Sequence, residues 1–107
     1  MRIAALDDDA LQLDLIKQAT EAMGHVCHTH LNGADFLREM RRETFDLLIV
    51  DWHLPDTTGP EVVRWVRKNV AAQLPILFVT NRQEERDIVE GLASGADDFM
   101  VKPVRIG

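Results

Sequence analysis

Four stretches of this sequence place reactive side chains where an apolar run stops. Asp7-Asp8-Asp9 follow the run 3–6, Asp51 follows Leu47-Leu48-Ile49-Val50, Thr80 follows 76–79 and Lys102 follows 99–101. Any one of these is ordinary, because Asp and Thr at such junctions cap helices. Asp9 suits that role alone, ahead of a helix beginning at Ala10. The joint placement asks for more. Asp7, Asp8 and Asp51 bring three negative charges against the single positive charge of Lys102. Crowded carboxylates either take up protons or attract a cation. Hard oxygen ligands with an incomplete protein shell suit Mg²⁺, which shares its sphere with phosphate. A lysine and a threonine offer a phosphoryl group a point charge and a hydroxyl donor. The implied chemistry is cation-assisted phosphoryl transfer to a carboxylate.

For that chemistry the four stretches must converge. The short runs 3–6, 25–29, 47–50, 76–79 and 99–101 are rich in aliphatic residues and bounded by polar ones, which predicts strands. Between them the spacing is helical. Leu11, Leu15, Ala19 and Ala22 share one face before Gly24, a C-terminal cap. Asn32 precedes a helix carrying Phe36, Leu37 and Met40. Gly59-Pro60 opens a third helix, with Val62, Val63 and Val66 inward. A fourth carries Ile88, Val89 and Leu92 and stops at Gly95. Strict β-α alternation gives an α/β, doubly wound parallel sheet with right-handed crossovers. Runs three and four are apolar throughout, as expected for strands covered on both faces. The half-polar run His25-Val26-Cys27-His28-Thr29 suits an edge. In such sheets ligands bind beyond the carboxyl ends of the strands, where strand order reverses. That is where Asp7, Asp8, Asp51, Thr80 and Lys102 would lie.

The segments Ala4-Ala5-Leu6-Asp7-Asp8-Asp9, Leu48-Ile49-Val50-Asp51-Trp52-His53-Leu54-Pro55-Asp56-Thr57-Thr58-Gly59, Val79-Thr80, and Gly95-Ala96-Asp97-Asp98-Phe99-Met100-Val101-Lys102-Pro103 resemble the receiver domain of bacterial two-component response regulators. The resemblance spans essentially the whole chain, 1–107, in the family's order and spacing. It implies a flavodoxin-like five-stranded sheet of order 2-1-3-4-5. It implies that Asp51 accepts a phosphoryl group from a histidine kinase, and that Mg²⁺ is held by Asp8, by Asp7 through water, by Asp51 and by the His53 backbone carbonyl. Lys102 would pair with the acceptor and then with its phosphoryl oxygens. Thr80 and Phe99 would form the switch, Thr80 swinging in and Phe99 turning into the space vacated. Lys102-Pro103 matches the position of a cis peptide. His53 and Arg82 would tune the lifetime of the acyl phosphate. The run 90–99 resembles receivers joined to winged-helix DNA-binding domains, which implies transcriptional output through a domain outside this chain.

The remaining features narrow the reading. With 18 acidic against 12 basic residues, the net charge of −6 argues against direct binding to nucleic acid or anionic membrane. One cysteine, no signal-peptide pattern and no long apolar run lead to the expectation of a cytoplasmic protein. His25 and Cys27 fall on one strand face and His28 and His30 on the other, too few per face for structural zinc. Trp52 is either a partly exposed aromatic or a reporter of the site. Arg38, Arg41 and Arg42 read as a solvated face beside Glu39 and Glu43. The chain stops at 104–107, where the family begins a fifth helix. The expectation is a receiver lacking that helix, with apolar surface on the first helix and fifth strand that favours self-association. Two alternatives stay open. An aspartyl-phosphate hydrolase would want an acid two residues after the nucleophile, where His53 stands. A pseudo-receiver would have lost the switch, whereas Asp8, Asp51, Thr80 and Lys102 are all present. A nucleotide-binding reading lacks the glycine-rich loop after the first strand. The receiver is expected to catalyse only its own phosphorylation and dephosphorylation.

Overall fold

Every second residue of the first strand faces the same side of a sheet, and two separate cores result. The computed structural model describes residues 1–80 and 85–102, excluding the side chains of Thr80, Glu85 and Arg86. The order is β1 (Arg2–Leu6), α1 (Ala10–Ala22), β2 (Val26–His30), α2 (Gly33–Met40), β3 (Leu47–Val50), α3 (Gly59–Asn69), β4 (Ile76–Thr80), α4 (Glu85–Ala93) and β5 (Asp98–Val101). All strand pairs are parallel, in the order β2-β1-β3-β4-β5. Ala4 and Leu6 of β1 join Phe36, Leu48, Val50, Val62, Val63, Val66, Ile76 and Phe78 in the larger core, beneath α2 and α3. Ile3 and Ala5 face the other way, with Leu13, Ile16, Cys27, Ile49 and Val79 beneath α1. Burying one such aliphatic or aromatic side chain stabilises by about 1.5–3 kcal/mol.

The helix starts are local. The Asp9 carboxylate accepts from the Leu11 and Gln12 backbone N–H groups, Asn32 caps α2 through Asp35, and Thr58 caps α3 just before Pro60. The inward phase of α1 departs from expectation. Gln12, Leu13 and Ile16 face the sheet, whereas Leu11 is 70% exposed and Leu15 points outward. Asp9 fixes the start of the helix and the return through Gly24 to β2 fixes its end, so packing on Ile3 and Ala5 selects a stripe other than the leucine one. In α4, likewise, Val89 and Leu92 are exposed, and Asp87, Gly91 and Ser94 are buried. β2 is also shifted by one residue from the expected run: His25 stays outside and its Nδ1 lies 3.0 Å from the Met1 amine. Cys27 is buried as expected for its face, and burial pushes its thiol up.

Between α1 and the outer end of the sheet, Ile16, Ala19, Thr20, Ile49, Leu77, Val79 and Met100 line an apolar groove of about 140 Å³. The Lys102-Pro103 peptide, Arg82 and the segment 104–107 lie outside the described residues.

Candidate functional site

The convergence demanded by the sequence is met at the carboxyl ends of β1, β3 and β5. Adjacent parallel strands in register deliver it: Leu6 pairs with Val50, and the Asp51 N–H donates to the Leu6 carbonyl at 2.9 Å. Asp7 and Asp51 therefore leave neighbouring strands side by side. Asp7 is 1% exposed and Asp51 7% exposed, while Asp8 opens to solvent. One carboxylate oxygen from each of the three lies within 4.8 Å of the others. From β5, Lys102 reaches across: its Nζ stands 2.8 Å from Asp7 Oδ2 and 3.3 Å from Asp51 Oδ2. The remaining oxygens are held by the backbone. Asp7 Oδ1 accepts from the Asp9 N–H at 2.9 Å, and Asp51 Oδ1 accepts from the Trp52 N–H at 2.8 Å.

The electrostatics follow from that crowding. Burial and then the Asp7 charge push the Asp51 carboxyl from 3.8 up to about 6, against the opposing pull of Lys102 and the Trp52 N–H. Burial works to lower the Lys102 ammonium. Its hydrogen bond to Asp7 and the charges of Asp51 and Asp7 outweigh burial, so its pKa ends above the usual value. Negative charge is thus in surplus even with Lys102 in place. Three oxygen donors, one of them open to water, fit a hard divalent cation that keeps part of its hydration shell.

The loop after Asp51 is held at both ends. His53 pairs with Thr58 in an isolated antiparallel bridge, and the Gly59 N–H donates to the Trp52 carbonyl at 2.7 Å. Gly59 is required here by close approach, since a Cβ would stand 2.5 Å from Phe78 Cε1 and 2.6 Å from the Asp51 carbonyl oxygen. Asp56 turns the loop toward α2, where its two oxygens accept from the Gly33 and Ala34 N–H groups at 2.8 and 2.9 Å. These N–H bonds hold its carboxyl below the usual range.

Trp52 is buried at 6% exposure, which removes the partly exposed alternative. Its ring sits 5.5 Å from Phe78, and Phe78 sits 6.3 Å from the half-buried Phe99. A line of three aromatic rings therefore runs from the residue beside Asp51 to β5. Thr80 ends β4 in register with Val101, one residue before Lys102, and its side chain is outside the described residues.

Sequence reasoning missed the side chain that ties this half of the sheet together. Arg67 of α3 donates through Nε and Nη2 to the Gly95 carbonyl at 2.9 and 2.8 Å. It also reaches the Leu74 carbonyl at 2.5 Å and Asp97 Oδ2 at 3.0 Å. Asp97 in turn accepts from the Ile76 N–H at 2.8 Å. The entry to β4 and the turn into β5 are thereby joined, which sets the position from which Lys102 extends. An arginine in the last turn of a helix carries no signal of such a role. Elsewhere, Arg38 pairs with Asp35 at 3.1 Å and Arg41 lies 5.3 Å over the Trp65 ring.

A doubly wound sheet of this order, with a cation-ready acidic trio and a lysine at its carboxyl edge, defines a phosphoryl-transfer receiver. Residues 3–107 match the response regulator receiver domain family, and the chain belongs to it. It is 42% identical over 99 residues to the transcriptional regulatory protein AfsQ1 of Streptomyces coelicolor, covering 92% of this chain and 43% of that protein. It is 39% identical over 103 residues to the phosphate regulon transcriptional regulatory protein PhoB of Rhizobium meliloti, covering 95% and 45%. Among solved structures, the chemotaxis protein CheY4 of Vibrio cholerae superposes with a TM-score of 0.91 at 28% identity, over 97% of this chain and 88% of that one. The chain thus spans under half the length of these two curated relatives. Receiver domains bind a cation at an acidic pocket, partner with histidine kinases, in some cases self-associate, and in general are not enzymes. No helix among the described residues is long and apolar enough to cross a membrane.

Proposed function

We propose that Asp51 is the phosphoacceptor of a two-component response regulator. The phosphoryl group passes from a histidine nitrogen of the kinase to an Asp51 oxygen; the P–N bond breaks as the P–O bond forms. The observation that carries this reading is the Lys102 ammonium shared between Asp7 and Asp51 at 2.8 and 3.3 Å beside the exposed Asp8. Asp7, Asp8, Asp51 and the His53 carbonyl are the groups to hold Mg²⁺, which when bound neutralises charge on the transferring phosphoryl group. Lys102 is already poised to exchange a carboxylate oxygen for a phosphoryl oxygen. Burial first and the Asp7 charge second raise the Asp51 pKa, so a cation at the site favours the ionised acceptor.

The switch is assigned to Thr80 and Phe99. An acyl phosphate adds about −1.5 to −2 charge and three acceptor oxygens, a partner that the Thr80 hydroxyl gains in one state only. Phe99, whose ring lies tilted against Phe78 at 6.3 Å, is the group able to refill the space. This contact difference between the states is what makes a switch. The output is transcription regulation through a DNA-binding domain outside residues 1–107, supported by the names of the curated relatives. We assign the domain to the cytoplasm, no role in binding nucleic acid directly, and catalysis only of its own phosphorylation and dephosphorylation. Self-association through the α4–β5 face is supported by the exposed Val89, Leu92 and Met100, and through the α1 side by the apolar groove lined by Ile16, Leu77 and Met100. The outward Leu11 and Leu15 of α1 offer the kinase an apolar contact.

The test is intact mass after incubation with Mg²⁺ and a small acyl-phosphate donor. A single phosphate adduct that Asp51→Asn lacks supports the receiver. Sustained phosphate release with turnover on other phosphomonoesters overturns it in favour of a hydrolase. Absence of both an adduct and beryllium trifluoride binding overturns it in favour of a pseudo-receiver.

A further inference from the structure

On the face of β2 away from α1, the fold assembles a second group of ligands that strand alternation alone could not complete. His28 and His30 project from the same side of β2, two residues apart, toward α2. There Glu39 inserts one carboxylate oxygen between them: Oε1 is 2.7 Å from His28 Nδ1 and 3.3 Å from His30 Nε2. We propose that His28, His30 and Glu39 form a binding site for a divalent transition metal ion of the zinc, nickel or cobalt class, separate from the acidic site at Asp51.

The chemistry of the set argues for that class. Two imidazoles and one carboxylate suit borderline metals such as zinc, and oxygen-only shells suit magnesium. The second argument is an unsatisfied atom. The His30 side chain is only 10% exposed, and its Nε2 is buried without a well-aligned hydrogen bond despite the approach to Glu39. The rings are held in orientation by edge contacts, His28 against Phe45 at 5.4 Å and His30 against Phe36 at 5.6 Å. Among the described residues only the acidic trio already gathers three ligand atoms within 4.8 Å of one another. At the histidine pair the Glu39 oxygen holds the central position, and binding requires Glu39 to yield that place to the ion and ligate from one side. Glu39 is free to do so, since its side chain lies on the outer part of α2, 27% exposed. His30 and Glu39 line an open cavity of about 430 Å³ together with Asp35, Arg38, Arg42 and Glu43, which leaves room for an exchangeable ligand beside three protein ligands.

The test is zinc titration of the full chain by calorimetry in excess Mg²⁺, which keeps zinc from the acidic site. The expected result is one zinc per chain, with affinity lowered at least tenfold in His28→Gln and in His30→Gln, and lowered in Glu39→Gln. Unchanged affinity in both histidine variants overturns the proposal. So does loss of binding in Asp8→Asn, or in His25→Gln, whose ring lies beside the Met1 amine. If His30→Gln fails to fold, the unsubstituted protein still decides. Imidazole nitrogen resonances of His28 and His30 must shift on zinc addition, and shifts confined to His25 or His53 refute the site. Failure here leaves the Asp51 reading untouched.

Discussion

The charge surplus at the acidic site has a thermodynamic consequence that a single substitution isolates. In the folded chain the Asp51 carboxyl titrates at about 6, against 3.8 for an unperturbed group, with burial the main cause and Asp7 the second. The folded protein therefore keeps a proton that the unfolded chain releases between these two values. Its stability falls as pH rises through that window and stays low above it. At 1.36 kcal/mol per unit the full difference is about 3 kcal/mol, and solvent at the mouth of the site screens it to about 2 kcal/mol. Asp51→Asn removes the ionisation and keeps the shape. In EDTA at about pH 8 the variant is expected to be more stable than the parent by about 2 kcal/mol, or on the order of 10 °C in Tm. At about pH 4 the two should converge, because Asp51 is then largely neutral in the folded state. Urea unfolding across the pH series reads this directly. Millimolar Mg²⁺ should narrow the gap at high pH by stabilising only the parent. A variant equal to or less stable than the parent at high pH without metal refutes the reasoning, since Lys102 would then fully offset the other two charges.

Three further outcomes follow from the same geometry. Lys102→Met leaves Asp7 and Asp51 facing each other without a cation, and is expected to cost about 3 kcal/mol at high pH, with recovery on acidification; pH-dependent urea unfolding checks it. Gly59→Ala drives a methyl group into Phe78 and the Asp51 carbonyl, and is expected to cost about 1–3 kcal/mol and to slow adduct formation at Asp51, read by intact mass. Asp97→Ala strips an acceptor from the Ile76 N–H and from Arg67. A loss of about 1–3 kcal/mol is expected, with faster amide exchange at Ile76.

The sequence already held the element order, the edge position of β2 and the caps Asp9 and Asn32, because these depend on neighbours a few residues away. The inward face of α1 is not set by such local cues alone. Leu11, Leu15, Ala19 and Ala22 form a good apolar stripe, but the Asp9 cap and the sheet below set which stripe turns inward. Trp52 could not be placed from its flanking residues, since its burial depends on Phe78 of β4 and on α4. Arg67 was invisible because its acceptors at Leu74, Gly95 and Asp97 lie in two other segments, the connections before β4 and before β5. Glu39 read as surface charge among arginines until α2 was laid against β2, where it meets His28 and His30.

By itself the sequence determined the cast and its order: which junctions carry acid, hydroxyl or amine, and that the runs between them alternate strand with helix. Periodicity and capping are local, and so survive without coordinates. The tertiary structure alone decided that Lys102 sits closer to Asp7 than to Asp51, that the Asp51 proton is held to about 6, and that Glu39 stands between two histidines. Those are matters of ångströms and dielectric between remote segments, which strand pairing and core packing fix and one-dimensional order does not.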